Sequence, residues 1–242
     1  MTDLSIPRGK YVGARINRVE DPALLAGEAR YLADLTLPRM LHVAFVRAPV
    51  AHADVRAVDV SRARELAGVE AVFVGGEISA QPLVDAVAHA TLLKTPQPAL
   101  ASDRVRYVGE AVAAVVARDA YIAEDAASLV EVDYDERGAV MTVEDAAADG
   151  APQLFDDVPS NTVYDERKSY GDPDAIFASA DRVYRQTLRS NRFLAAPMEA
   201  RGVLADFERA SGKLTVWSST QTPELLRLTL SGALGFPRQK LR

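Results

Sequence analysis

The chain has 242 residues, 48% of them hydrophobic, enough to bury a substantial core as one large domain or two of ordinary size. Its 28 basic and 34 acidic residues leave a formal charge of −6 and alternate in sign, without the like-charge run of a nucleic-acid arm or a membrane-binding face. Cysteine is absent, which excludes disulfides, thiolate zinc sites, iron–sulfur ligation and a thiol nucleophile within this sequence.

The opening residues Met1-Thr2-Asp3-Leu4-Ser5 lack the basic-then-apolar order of a signal peptide, and apolar runs such as 111–117 are too short to span a bilayer. A soluble, intracellular, cytoplasmic protein is expected, with neither nucleic acid nor membrane as partner.

The segment to Asp34 is polar and rich in Gly and Pro, an extended lead-in with one short helix at 22–26. Residues 41–47 have the β-branched and aromatic content of a strand. A strand at 55–59, a helix over 62–67 with Ser61 as cap and Gly68 as stop, and a strand at 69–74 follow. The same order recurs with a fully apolar strand at 111–117, a helix from the Asp119 cap to 129, and an alternating strand at 130–134. Two strand–helix–strand units plus extra strands predict an α+β or α/β domain on a mixed sheet.

Residues 81–103, with Pro82, Pro96 and Pro98, predict an irregular excursion, and 146–174 predict a connector between domains. Beyond it come a short helix at 173–179, an alternating strand at 182–188 and a hairpin of 203–207 with 213–218. Thr222-Pro223-Glu224 has the cap, N1 proline and early acid of a helix start, and Gly235-Phe236-Pro237 ends that helix. The tail 238–242 reads as the beginning of a further strand.

The three histidines, His42, His52 and His89, have no metal-ligand spacing, and a surface or supporting role is the reading for His52. Gly75-Gly76 follows a strand but leads into Glu77, which would repel a phosphate. Carboxylate pairs such as Glu20-Asp21, Glu124-Asp125 and Asp156-Asp157 match helix starts and solvated loops. Glu199 stands beside Pro197, Met198 and Arg201 in an apolar neighbourhood, and a bond to Arg201 or to backbone outweighs a catalytic role. Gln221 projects from the end of a strand with an amide that both donates and accepts.

Several blocks stand in an informative order. They are Gly13 with Arg18-Val19-Glu20-Asp21-Pro22, Gly27 with Tyr31 and Asp34, Phe45-Val46-Arg47-Ala48-Pro49 with Ala51-His52-Ala53, and Gly68-Val69. Arg106-Tyr107-Val108-Gly109-Glu110-Ala111, Ala123 with Asp125-Ala126, Pro197-Met198-Glu199 with Arg201, and Trp217-Ser218-Ser219-Thr220-Gln221 complete the series. Together they resemble the molybdenum-binding large subunit of the xanthine dehydrogenase/aldehyde oxidase/carbon monoxide dehydrogenase family.

The resemblance implies an α+β fold: an N-terminal extension (1–18), an a/b hammerhead domain with a mixed sheet (19–145), a connector (146–174) and an incomplete α/β start of a molybdopterin-binding domain (175–242). It implies an oxidoreductase that oxidises or hydroxylates a small molecule with water-derived oxygen at a molybdenum-molybdopterin cofactor. Gln221 inherits the cofactor-binding role, since the Thr-Gln glutamine of such proteins hydrogen-bonds one of the centre's ligands. Iron–sulfur clusters and FAD are implied on partner chains.

The family's later Gly-rich segment, pterin-binding stretches and catalytic glutamate are not encoded, so no catalytic or metal-ligating residue is assigned. The leading expectation is the N-terminal third of such a large subunit, truncated or split and inactive alone. It would work with the remainder of the molybdenum subunit, an iron–sulfur subunit and a flavoprotein subunit. The alternatives are a non-catalytic scaffold within such a complex and an independent small-molecule enzyme.

Overall fold

The computed structural model describes residues 13–78, 80–83, 91–158, 160–191 and 193–242. His89, part of the 81–103 excursion and most of the 1–18 extension lie outside the described residues.

Helix α1 (Asp21–Ala26) closes on Gly27, whose φ of 71° is the left-handed turn that ends it. Strands β1 (His42–Arg47), β2 (Ala53–Asp59) and β3 (Val69–Val74) follow, with helix α2 (Ser61–Glu65) between the last two. The two-residue strand β4 (Arg104–Val105) precedes β5 (Ala111–Ala117), helix α3 (Ala120–Ser128) and β6 (Glu131–Glu136).

These strands form two sheets of three, ordered β1-β5-β3 and β4-β2-β6, and every pair is antiparallel. The α+β class holds, whereas the mixed sheet is replaced by antiparallel ones. Residues 60–68, which join β2 to β3, are fewer than the dozen or so that a parallel crossover needs. β5 already has β1 and β3 on its two edges, so β6 does not lie beside it and pairs with β2 in the other sheet. Each helix therefore carries the chain from one sheet to the other, α2 outward and α3 back.

β5 is apolar throughout because both its faces are covered. Val112 packs with Ala48, Ala53, Ala101 and Val105 between the sheets. Val115, on the opposite face, packs with Val60, Ala63, Val72 and Ala126 under α2 and α3. Asp119 caps α3 as its position predicts, accepting from the Ile122 N–H at 2.9 Å. Ser61 does not cap α2 but is its first residue, and Asp59 accepts from the Ser61 N–H instead.

Helices α4 (Val143–Ala147) and α5 (Pro173–Ser179) lead to the hairpin of β7 (Val203–Glu208) and β8 (Lys213–Ser218), then to α6 (Pro223–Leu234), which ends on left-handed Gly235. The alternating segment 182–188 is not a strand, because among the described residues no strand pairs with it to complete its hydrogen bonds.

After α6 the chain returns to β8. Leu241 is 3% exposed and bridges Leu214 in parallel, and the main chains of Val216 and Arg242 join at 2.8 Å. Among the described residues no helix is long and apolar enough to cross a membrane.

Candidate functional site

The sequence blocks that look like motifs are brought together in pairs. In the first domain, Ala48 N–H donates to the Glu110 carbonyl and Gly109 N–H donates to that of Ala48, both at 2.8 Å. The Arg47 guanidinium donates to the Gly109 carbonyl at 2.8 Å. The Glu110 carboxylate, 6% exposed, accepts from the Arg106 N–H, and burial holds its pKa above the ordinary carboxylate value.

Arg106 spreads over the Phe155 ring and donates to the carbonyls of Leu154 and Arg104, fastening the connector to β4. This block is therefore a brace.

His52 is buried, 3% exposed, and its Nδ1 lies 2.8 Å from the Gly138 carbonyl, so that nitrogen carries the proton and donates. Its position is interior, which leaves the supporting role of the two readings and not the surface one. Gly75 also has a packing role: a Cβ there would lie 2.2 Å from the Ala101 carbonyl oxygen. Gly75 thus permits a close approach of backbone to backbone, whereas Gly76 faces open space and supplies a positive φ of 86°.

A polar cluster on the exposed flank of β2 has the strongest electrostatic signature. Asp54 lies between Arg137 and Arg104, at 2.6 and 2.9 Å, and Arg104 reaches on to Asp156 at 2.8 Å. Hydrogen bonds from Arg137 and then Arg104 hold the Asp54 carboxyl at about 2. Asp156 is lowered by its bond to Arg104. The four charges join β2, β4, the end of β6 and the connector, so this cluster too is structural.

The third convergence carries the candidate site. The Glu199 carboxylate accepts from the Leu32 N–H at 2.9 Å, and the neighbouring turn is closed by Asp34 accepting from the Tyr31 N–H at 2.9 Å. Ser219 Oγ accepts from the Gly202 N–H and donates to the Ala200 carbonyl, each at 3.2 Å. Three distant segments, 31–34, 197–202 and 217–221, therefore meet.

Glu199 takes the backbone bond expected of it. Ser219 and Leu32 join the cluster without being singled out in the sequence, although Ser219 lies inside the Trp217–Gln221 block that carried the signal.

Gln221 sits at the far end of this cluster, after β8 and two residues before α6 begins. It is exposed, and among the described residues its amide has no hydrogen-bond partner. Thr222 occupies the cap position of α6 without a side-chain cap bond.

A cavity of about 310 Å³ opens between β8, α6 and the returning tail, lined by Val216, Ser218, Thr220, Leu226, Arg227 and Leu241. Gln221 does not line it. Among the described residues no group of three or more His, Cys, Asp or Glu could hold a metal ion.

Residues 26–138 match the family model described as "Aldehyde oxidase and xanthine dehydrogenase, a/b hammerhead domain". Residues 154–242 match "Molybdopterin cofactor-binding domain". The chain is 37% identical over 236 residues to the nicotine 6-hydroxylase large subunit of Paenarthrobacter nicotinovorans, covering 95% of this chain and 28% of the relative. It is 33% identical to the carbon monoxide dehydrogenase large chain of Afipia carboxidovorans, covering 95% and 30%.

The crystal structure of quinoline 2-oxidoreductase from Pseudomonas putida 86 superposes with a TM-score of 0.88 at 38% identity, covering 95% of this chain and 29% of that one. The chain thus spans less than a third of the length of these relatives.

Proposed function

The chain belongs to the xanthine dehydrogenase/aldehyde oxidase/carbon monoxide dehydrogenase family of molybdenum-binding large subunits, and we propose that it supplies one wall of such an enzyme's cofactor site. In this reading 19–145 is the hammerhead domain, 146–174 the connector and 175–242 the first part of the cofactor domain. The function is oxidation or hydroxylation of a small molecule, inactive without the stretch equivalent to the remaining length of the relatives.

The observation that carries the proposal is the Ser219 bridge. It joins 197–202 to 217–221 and holds Gln221 beyond the end of β8 with its amide uncommitted. A neutral amide that can donate and accept fits a molybdenum-molybdopterin centre, because it orients the centre's ligands without adding charge. When bound, that cofactor supplies two-electron redox chemistry.

Gln221 positions the centre, Ser219 positions the segment bearing Gln221, and Glu199 anchors that segment to the lead-in. The opposite wall and the proton-transferring group come from the equivalent of the relatives' remaining length. This sequence has no cysteine to hold an iron–sulfur cluster, and in this reading such clusters and FAD on partner chains receive the electrons.

The test is co-expression of the chain with a polypeptide equivalent to the relatives' remaining length and an iron–sulfur subunit. Molybdenum and pterin are assayed in the complex and in the chain alone. Metal in the complex alone, with Gln221→Ala lowering its content or shifting its Mo(V) resonance, is the expected result. A folded, metal-free complex would leave the scaffold role as the better account.

A further inference from the structure

The excursion that leaves the hammerhead domain after β3 reaches a helix it has no part in building. Its root is fixed in three ways. The Glu77 N–H donates to the Val74 carbonyl at 3.2 Å, and the Glu77 carboxylate accepts from the Val74 N–H at 2.9 Å. Gly76, with its φ of 86°, makes the turn that this reciprocal pair closes. Arg64 of α2 lies 3.7 Å from the same carboxylate and donates to the Val72 carbonyl at 3.2 Å. Glu77 is thus an anchor.

Four residues on, the Gln81 main-chain N–H donates to the Ala233 carbonyl at 2.7 Å. Just beyond, Leu83 and Gln97 exchange main-chain bonds at 2.8 and 2.9 Å, which steadies this stretch.

Ala233 lies in the last turn of α6, where carbonyls find no partner within the helix. The chain's own turn serves two of them: Gly235 N–H donates to Gly232 and Ser231, and Phe236 N–H donates to Ser231 at 3.0 Å. The Ala233 carbonyl is served from the hammerhead domain instead.

The opposite end of α6 is held less firmly. Thr222 gives no side-chain cap bond, and Pro223 has no N–H to give. Gln221 stands two residues before that end. A helix of twelve residues is about 18 Å long and moves as a stiff element, so a hold on its last turn is felt at its first.

We propose that Glu77 and Gln81 are the two fixed points of a positioning arm, rooted on β3 and latched on α6, that sets where α6 presents Gln221. Glu77 is then a positioning residue that acts through the helix. This rests on the functional reading above and adds the contact that aligns the wall carrying Gln221.

Hydrogen exchange on the full chain reads the latch. The Gln81 amide should exchange slower than in an unstructured chain by about tenfold or more, and should open together with amides 230–234 as urea is added. Glu77→Ala should speed exchange at both places about fivefold with β1 and β5 unchanged, whereas Glu77→Gln keeps an acceptor and should restore most of the protection. In the molybdenum-loaded complex, Glu77→Ala should shift the Mo(V) resonance in the sense of Gln221→Ala, and Glu77→Gln should not.

An unprotected Gln81 amide, a different urea dependence at the two places, or α6 exchange indifferent to Glu77→Ala would overturn the proposal. So would a resonance that Gln221→Ala shifts and Glu77→Ala does not, which would leave the functional reading standing. A resonance indifferent to Gln221→Ala would defeat that reading alone, and the arm would stand on the exchange result.

Discussion

The carboxylate of Glu199 accepts the main-chain N–H of Leu32 at 2.9 Å across a sequence separation of 167 residues. This bond ties the interior of the second family-matched region, 154–242, to the start of the first, 26–138. A half-buried N–H is left with a charged acceptor and no solvent substitute of equal strength.

Glu199→Ala should therefore lower the unfolding free energy by about 2 kcal/mol, as expected for a bond to a charged group, while Glu199→Gln retains an acceptor and loses less than half of that. Urea midpoints of the two variants check this. Equal losses would show that the carboxylate acts by charge and not by accepting the Leu32 proton.

Acid should loosen the clamp around Asp54. Its carboxyl titrates at about 2 in the fold against 3.8 ordinarily, so its stabilisation is complete above the ordinary value and disappears as pH falls from about 4 towards 2. Asp156 and Asp59, both lowered, act in the same direction. Glu110, raised by burial, acts oppositely and favours the fold more below its raised pKa than above it. Asp54→Asn should flatten the fall in thermal midpoint between pH 5 and pH 2. An unchanged acid limb would assign that fall to other carboxylates.

Gly75 and Gly76 should respond differently to the same change. Alanine at 75 places a methyl 2.2 Å from backbone that cannot step aside, for a loss of about 3 kcal/mol. Alanine at 76 meets open space and is penalised only for its φ of 86°, about 1 kcal/mol. Thermal unfolding of the two single variants measures the order, and a reversed order would refute the close-approach argument.

Ser219→Ala should lose about 1 kcal/mol, because the Gly202 N–H loses its acceptor. Hydrogen exchange at the Gly202 amide should accelerate while the β7–β8 ladder stays protected. Unchanged exchange there would mean that the hydroxyl does not join the two segments.

Local signals in the sequence carried most of the elements. The unbroken apolar run of β5, the Asp119 cap and the Gly235 stop each depend on chemistry within a few residues, and each stands where the pattern placed it. Partnership between distant segments was less legible. The strand-like alternation at 182–188 says which side chains share a face and nothing about what pairs with them. The antiparallel sheets follow from β5 taking β1 and β3 on its two edges, a pairing that no window of sequence displays.

The site divided in the same way. The Trp217–Gln221 block marked Gln221 through a family resemblance, whereas the bond between Glu199 and Leu32 depends on a fold that brings remote residues into register. Ser61 is the first residue of α2 and not its cap, and its N–H donates to the carboxylate of Asp59 two residues earlier.

The crossing of α2 and α3 between the two sheets also sets a schedule for synthesis. β1 and β3 both wait for β5 at 111–117, and β2 waits for β6 at 131–136. On a ribosome adding 5–20 residues per second, the interval between the end of β2 and the start of β6 lasts roughly 4–15 s. For most of that interval, until β5 emerges, the nascent chain carries strands with open edges and no complete sheet, which makes it a client for chaperones before it is a partner for anything else.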